Sequence, residues 1–138
     1  PTAATPLQIF DGNILKNSTV ALEVVNFSAI SITNNVISNN DIGIYLTNSS
    51  PSIKYNIIRD NRIGIYCEES SNPLVRYNNI YSNTDFGIKN DDPTVTIDAR
   101  YNWWGIIMPT QSATPLASIS LYCTYLPFLD IPFNIDVS

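Results

Sequence analysis

The chain has 138 residues, of which 44% are hydrophobic and 14% are charged, and its formal net charge is −5. This length fits one domain with one continuous core, and the acidic balance argues against nucleic acid or anionic lipid as a partner, since both need a basic surface. The sequence has no histidine, which removes the usual general base and metal ligand. No run of about 18 apolar residues occurs, so no membrane-spanning helix is predicted.

Residues 1–6 are rich in proline and alanine and are predicted to be a poorly ordered lead-in. From Leu7 onward the chain repeats a unit of 21–23 residues, most clearly in the segments that begin at Pro51 and Pro73. Four units end at about Asp92, and a fifth, degenerate unit ends at Gly105. A repeat that keeps its columns of residue types while its loops vary in length indicates a structural repeat.

Within each unit the apolar residues alternate with other residues, which is typical of β-strands. In the strand around residue 65, the alternation predicts that Ile63, Ile65 and Cys67 share one side and that Gly64 and Tyr66 share the other. The strands are short and are separated by Asn, Asp, Ser and Gly, which favour tight turns. Three short strands per 22 residues predict a parallel β-solenoid whose coils stack about 4.8 Å apart.

Stacking places like residues on top of one another in columns. The apolar columns are predicted to fill the core, and the asparagine columns to form ladders in which each amide bonds the next. The glycine column fits a bulge or a close approach to the backbone. The columns are Asn13, Asn35, Asn56, Asn78; Leu15, Ile37, Ile58, Ile80; Asn17, Asn39 or Asn40, Asn61, Asn83; Val20, Ile42, Ile63, Phe86; Ala21, Gly43, Gly64, Gly87; and Leu22, Ile44, Ile65, Ile88.

Residues 106–138 do not continue the repeat and are predicted to cap the last coil, which otherwise would polymerise by strand pairing. Within them we expect a loop from Met108 to Pro115 and a strand from Ala117 to Leu126. At the other end no comparable cap is visible. The first coil is therefore exposed, or it stacks end to end on another chain, or it continues a longer parent protein.

The pattern Pro-x-Ile-x-Tyr-Asn-x-Ile-x-x-Asn-x-x-Gly-Ile resembles the repeat of right-handed parallel β-helix proteins. These form the pectate-lyase-like superfamily, and the resemblance extends to its group of periplasmic copper-maturation and carbohydrate-associated surface proteins. The run Asn102-Trp103-Trp104-Gly105, followed by residues 125–129, is similar to the way such helices close. The resemblance implies an all-β fold of about five coils with a C-terminal cap. It leaves function open, because this scaffold hosts lyases, glycosidases, epimerases, adhesins and surface-layer proteins.

Acidic residues cluster after two of the Gly-Ile strands. Glu68 and Glu69 follow Ile65 at the same spacing as Asp91 and Asp92 follow Ile88. On adjacent rungs these carboxylates would repel one another, and a calcium ion would relieve the repulsion; the alternative is two solvated turns. A second acidic set precedes the strands, at Asp41, Asp60 and Asp85, and stacked rungs could give it the carboxylate spacing of a polysaccharide hydrolase.

Three further sets of residues are candidate sites. Tyr45 and Tyr66 are predicted to stack on the outward face, with Tyr81 extending an aromatic surface that suits sugar rings or a protein, whereas Tyr55 and Tyr77 are expected in the core or at its corner. The glycosylation sequons are Asn17, Asn26 and Asn48. Cys67 and Cys123 are either small buried side chains or a disulfide that pins the cap.

The sequence therefore predicts a non-catalytic extracellular or cell-surface β-helix module, with a periplasmic location as an alternative. It would be structural or would bind carbohydrate or a protein partner. No cofactor is predicted, with calcium at the acidic cluster as the alternative. The alternative function is a polysaccharide-active lyase or glycosidase of the β-helix superfamily. Copper maturation is disfavoured because the chain lacks histidine and has one methionine, whereas copper prefers soft or imidazole ligands.

Overall fold

The computed structural model describes residues 6–106, 109, 111 and 119–135, and these residues form fourteen β-strands and no α-helix. The strands are β1 (Gln8–Asp11), β2 (Ile14–Lys16), β3 (Val20–Val25), β4 (Ile30–Thr33), β5 (Val36–Ser38), β6 (Ile42–Thr47), β7 (Ser52–Lys54), β8 (Ile57–Arg59), β9 (Ile63–Glu68), β10 (Leu74–Arg76), β11 (Asn79–Tyr81), β12 (Phe86–Asn90), β13 (Ile97–Asp98) and β14 (Cys123–Thr124). Among these residues, no helix is long and apolar enough to cross a membrane.

The strands form three parallel sheets. The first has the order β1-β4-β7-β10-β13-β14, the second β11-β8-β5-β2 and the third β12-β9-β6-β3. Among β1 to β13, the strands that pair are three apart in sequence order, such as β1 with β4 and β4 with β7. Three successive strands therefore make one coil. This topology confirms the all-β solenoid of about five coils.

The core is built from apolar residues that pair across adjacent coils. In the second sheet Leu15 pairs with Ile37, Ile37 with Ile58, and Ile58 with Ile80. The three isoleucines are at most 1% exposed. Burying each such side chain contributes about 1.5–3 kcal/mol of transfer free energy. The predicted stacking of like residues is thereby confirmed.

The predicted alternation in β9 is wrong at two positions, Ile63 and Gly64. Ile65 and Cys67 lie in the main core, but Ile63 belongs to a separate outer cluster with Ile42 and Phe86, against which Tyr66 packs. The reason is the backbone at Gly64, where a Cβ atom would come within 3.1 Å of the core residue Ile58. Two consecutive residues, Gly64 and Ile65, therefore face the core, and the alternation slips by one residue.

Two asparagine ladders fix the turns on either side of the second sheet. In the first, the Oδ1 atom of Asn56 accepts bonds from the backbone and side-chain nitrogens of Asn35, and the pattern recurs from Asn13 to Asn102. The second ladder runs through Asn40, Asn61 and Asn83. Asn17 is not a rung of it, because the backbone nitrogen that bonds Asn40 Oδ1 belongs to the next residue, Ser18.

The described part of the C-terminal segment packs against the later coils. β14 adds a sixth strand to the first sheet by pairing Cys123 with Ile97. Further along, the Asn79 side chain bonds both the N–H and the C=O of Phe133. The predicted strand over 117–126 is longer than the observed one: among described residues 119–126, only Cys123–Thr124 form a strand. Residues 1–5 of the predicted lead-in, most of the loop that begins at Met108, and residues 117–118 lie outside the described residues.

Candidate functional site

The outward face of the third sheet carries a column of four paired residues. Glu23 pairs with Tyr45, Tyr45 with Tyr66, and Tyr66 with Lys89. The two tyrosine rings are stacked, with centroids 5.1 Å apart and planes 8° apart. The column shows that Tyr45 and Tyr66 lie together on the outside of the sheet, as predicted from their spacing.

Both tyrosine hydroxyls are bound to carboxylates on the following coil. Tyr45 donates to Glu68 Oε2 at 2.5 Å, and Tyr66 donates to Asp91. The bond to Glu68, together with burial, raises the pKa of Tyr45 to about 12. Burial and the bond to Asp91 raise the pKa of Tyr66 as well. Both hydroxyls therefore keep their protons at neutral pH, and the rings are held in fixed orientations.

Lys89 ends the column on the fourth coil. Its Nζ atom lies 4.9 Å from the ring centroid of Tyr66 and 5.8 Å from that of Phe86. The same atom lies 3.8 Å from Asp91 Oδ1. Aromatic faces and a carboxylate both attract an ammonium group, so Lys89 is held beside the column.

A surface groove of about 330 Å³ opens where the column ends. It combines apolar surface with an ammonium group, a carboxylate, an amide and a hydroxyl. Tyr122 and Leu121 on its wall are 47% and 42% exposed. The lining residues are Phe86, Lys89, Asn90, Asp91, Pro93, Ser120, Leu121 and Tyr122.

The carboxylates predicted to bind calcium lie at this face. Asp91 follows Asn90, which pairs with Cys67, so Asp91 and Glu68 are neighbours on adjacent rungs. Asp92 instead accepts bonds from the backbone of Ser70 at 2.8 Å and from Thr94, and Glu69 is exposed. Among the described residues, no group of three or more carboxylate, thiol or imidazole side chains is arranged to hold a metal ion. Calcium binding by these residues stays a prediction.

The structure does not bring the third predicted tyrosine to this face. Tyr81 belongs to β11 in the second sheet and contacts the edge of Trp103, with ring centroids 5.1 Å apart. Tyr81 occupies a different position in its repeat. Tyr45 and Tyr66 directly follow a Gly-Ile pair, whereas Tyr81 lies shortly after an asparagine of the first ladder.

The structure also does not bring the three aspartates considered for hydrolysis together in one site. Arg62 bridges two of them, with Nε 2.6 Å from Asp41 and Nη1 3.1 Å from Asp85. Asp60 pairs instead with its neighbour Arg59. Since Arg62 neutralises Asp41 and Asp85, this set is a surface ion-pair network that joins three coils.

A family model described as "Right handed beta helix region" matches residues 3–102 of the chain. The chain belongs to the right-handed β-helix family. No curated protein and no solved structure matches the chain at a significant level.

The sequons of this β-helix lie at its corners. Asn17, Asn26 and Asn48 are all exposed, and all have positive φ angles, of 61°, 53° and 46°. Asn48 Nδ2 donates to Asn26 Oδ1 at 3.0 Å, which agrees with the predicted shared column. A glycan on Asn48 would replace the hydrogen of this bond or require it to rotate away. Glycosylation stays a prediction at all three positions.

The two cysteines of the β-helix are buried free thiols. Cys67 takes the place in its column that Leu46 holds one coil earlier. Burial raises the pKa of Cys67 well above its usual range and that of Cys123 to about 12. Both therefore act as small core side chains here, and the structure does not contain the suggested disulfide.

Sequence reasoning missed three residues of this face, Phe86, Lys89 and Tyr122. The repeat contained a signal for Lys89, since Gly43-Ile44-Tyr45 and Gly64-Ile65-Tyr66 are followed by Gly87-Ile88-Lys89. Tyr122 had no such signal because it lies beyond the repeat and reaches the groove through the pairing of β14 with β13.

Proposed function

We propose that the chain is a non-catalytic extracellular or cell-surface β-helix module, and that it binds carbohydrate at the third-sheet face. The observation that carries this proposal is the groove of about 330 Å³, which continues the Tyr45–Tyr66 column. We also propose that the chain is related to the carbohydrate-associated surface proteins of the pectate-lyase-like superfamily.

The lining of the groove suits a sugar. Pyranose rings present apolar C–H surfaces as well as hydroxyls, and aromatic side chains with a few convergent polar groups bind both. Leu121 and Tyr122, which are both exposed, supply the apolar surface. Lys89 and Asp91 supply polar groups for hydroxyls.

The third-sheet scaffold is rigid, which favours binding. The tyrosine hydroxyls are held by Glu68 and Asp91, and the backbone beneath them is paired on both sides by neighbouring coils. A prearranged surface loses little conformational entropy when a ligand binds.

The Tyr122→Asn variant tests this function. Tyr122 has a φ angle of 63°, which asparagine tolerates, so the change removes the ring with little backbone strain. In affinity electrophoresis against a panel of neutral and acidic polysaccharides, we expect at least one to retard the wild-type protein. We expect Tyr122→Asn to weaken that binding about fivefold or more, because stacking of a sugar on an aromatic ring contributes about 1 kcal/mol of binding free energy.

The matched control is Ile131→Asn, since Ile131 is 74% exposed in the same segment and does not line the groove. It should bind as the wild type does. The proposal is wrong if no polysaccharide retards the protein, or if both variants bind equally well.

An enzyme is the second candidate function, and one observation favours it. Glu68 and Asp91 are neighbours on adjacent rungs, which stack about 4.8 Å apart. Retaining glycosidases place two carboxyl groups about 5–5.5 Å apart.

Incubation with polysaccharides separates the two functions. For the module we expect binding without turnover, seen as no new reducing ends and no absorbance from unsaturated products over a day. Sustained product formation that the Glu68→Gln variant abolishes would establish the enzyme instead. The Asp60→Asn variant is the control, because Asp60 pairs with Arg59 and precedes β9, whereas Glu68 ends that strand.

A further inference from the structure

The C-terminal segment shows that the outer face of the second sheet can hold an extended peptide. The buried side chain of Asn79 accepts a hydrogen bond from the N–H of Phe133 at 2.7 Å and donates one to its C=O at 2.8 Å. In an extended chain the N–H and C=O of one residue point to the same side. Asn79 therefore binds the backbone of this segment as a neighbouring strand would.

The side chain of Phe133 is held by a second set of contacts. Its ring centroid lies 5.1 Å from that of Tyr55 and 6.0 Å from that of Tyr77, and the ring planes are tilted by 45° and 44°. Contacts of this kind are favourable for aromatic pairs. Backbone hydrogen bonds combined with a side-chain anchor are how proteins recognise extended peptides.

An apolar column extends this binding site across the earlier coils. Asn79 pairs with Ile57, Ile57 with Val36, and Val36 with Ile14. Each residue of this column directly precedes a member of the core column of the second sheet, so the column faces outward. Val36 and Ile57 are half-buried, and Ile14 is 59% exposed. The column is therefore continuous with a surface on which the chain already binds a peptide segment.

Few contacts hold the C-terminal segment at this site. Phe133 contributes one ring and two backbone bonds, whereas Ile131, two residues earlier, is 74% exposed. A peptide that makes the same contacts and also covers the apolar column buries more apolar surface than the segment does. Such a peptide would displace the segment.

We propose that the outer face of the second sheet binds an extended peptide segment of a partner protein, and that residues 131–135 occupy one end of this site in the free chain. The partner segment has an aromatic residue that takes the place of Phe133, with apolar residues at alternate positions on either side, as residues 131–135 have. Lys16 is exposed on the same face, two residues after Ile14, and favours an acidic residue in the bound segment.

A fluorescent peptide with the sequence of residues 129–135 tests this site in the full-length protein by fluorescence anisotropy. In the Phe133→Ala variant the tethered segment lacks its ring and competes less with the peptide. We therefore expect the peptide to bind this variant at least about fivefold more tightly than the wild type. The Phe133→Leu variant keeps an apolar side chain and should lie between the two. A peptide with alanine in place of the phenylalanine should bind Phe133→Ala at least about fivefold more weakly.

Substitutions added to Phe133→Ala locate the bound peptide. Within the described residues the Asn79 side chain bonds only Phe133, so Asn79→Ala removes the backbone bonds and should weaken peptide binding at least about fivefold. Ile57→Thr keeps a β-branched residue in the strand and should weaken it about twofold or more. Tyr122→Asn should leave it unchanged, because Tyr122 lines the third-sheet groove. The peptide site and the carbohydrate groove can therefore fail independently.

Circular dichroism shows which variants are folded, and Phe133→Leu decides the comparison with the wild type if Phe133→Ala is not. Equal affinity of the peptide for the wild type and for the folded Phe133 variants would overturn the proposal. Equal affinity with and without Asn79→Ala would do the same. Displacement of the peptide by dextran or polygalacturonate would assign this face to sugars instead.

Discussion

The Asn78→Ala variant is expected to lose about 5 kcal/mol of unfolding free energy. Asn78 is fully buried in the first ladder. Its Oδ1 atom accepts bonds from the backbone and side-chain nitrogens of Asn56, at 2.9 Å and 3.0 Å. Its Nδ2 atom donates to the carbonyl oxygens of Ile53 and Arg76 and to Asn102 Oδ1. Alanine removes all five bonds and leaves their partners in a place that water does not reach.

Each buried group that loses its partner costs about 1–3 kcal/mol. Some partners keep other bonds, since Asn102 Oδ1 still accepts from the Asn78 backbone, so the total is below the sum of five such penalties. A chain of this size has a net stability of about 5–15 kcal/mol. The expected loss is therefore a large fraction of the whole, and the variant should unfold at much lower denaturant concentrations.

Equilibrium denaturation followed by circular dichroism measures this loss. The matched control is Asn13→Ala, at the first-coil end of the same ladder. Asn13 is only half-buried, and its Oδ1 atom accepts no bond from another rung within the described residues. We expect its loss to be about 1–2 kcal/mol. Equal losses in the two variants would show that burial within the ladder does not set its strength.

The sequence was sufficient to predict the coil register because the structural unit and the sequence unit are the same. Ile37, Ile58 and Ile80 recur at steps of 21 and 22 residues, and each pairs with the next across the second sheet. In a solenoid the residue in contact is one repeat away. The repeat length read from the sequence therefore identifies which residues are in contact on neighbouring coils.

Sequence periodicity was less informative where an interaction depends on local backbone shape. Alternation predicts that Ile63 faces the core, but Gly64 faces the core instead and Ile63 lies in the outer cluster. Tyr55 and Tyr77 are predicted to lie in the core or at its corner, but their positive φ angles are contrary to the local preference of tyrosine, so residue propensity does not predict this backbone conformation.

The candidate groove could be predicted only in part. Its floor follows the repeat, as the alignment of Lys89 with Tyr66 shows. Its wall does not, because Tyr122 and Leu121 come from the non-repeating segment and are positioned by the two-residue strand β14. A strand this short has no sequence period from which its register could be derived.

The Gly64→Ala variant is expected to lose about 3 kcal/mol of unfolding free energy. A Cβ atom at this position would lie 2.5 Å from the carbonyl oxygen of Gly87 on the next coil and 3.1 Å from Ile58 Cγ2. Neither neighbour can yield easily, because one is backbone within the third sheet and the other is packed in the core. The fourth coil must move away from the third, which weakens the pairing of β9 with β12. Overpacking of this kind typically costs about 1–3 kcal/mol and can cost more.

The control for Gly64→Ala is Gly12→Ala, which separates steric conflict from backbone strain. Gly12 has a φ angle of 71°, but a Cβ atom there would meet no atom within 4 Å. Its expected loss is about 1–2 kcal/mol, which is the cost of a left-handed conformation for an L-residue. Ala21 occupies the Gly64 column in the first coil, so a methyl group is present in this column at that coil. If denaturation shows Gly64→Ala to be no less stable than Gly12→Ala, close contact between coils is not what requires glycine in this column.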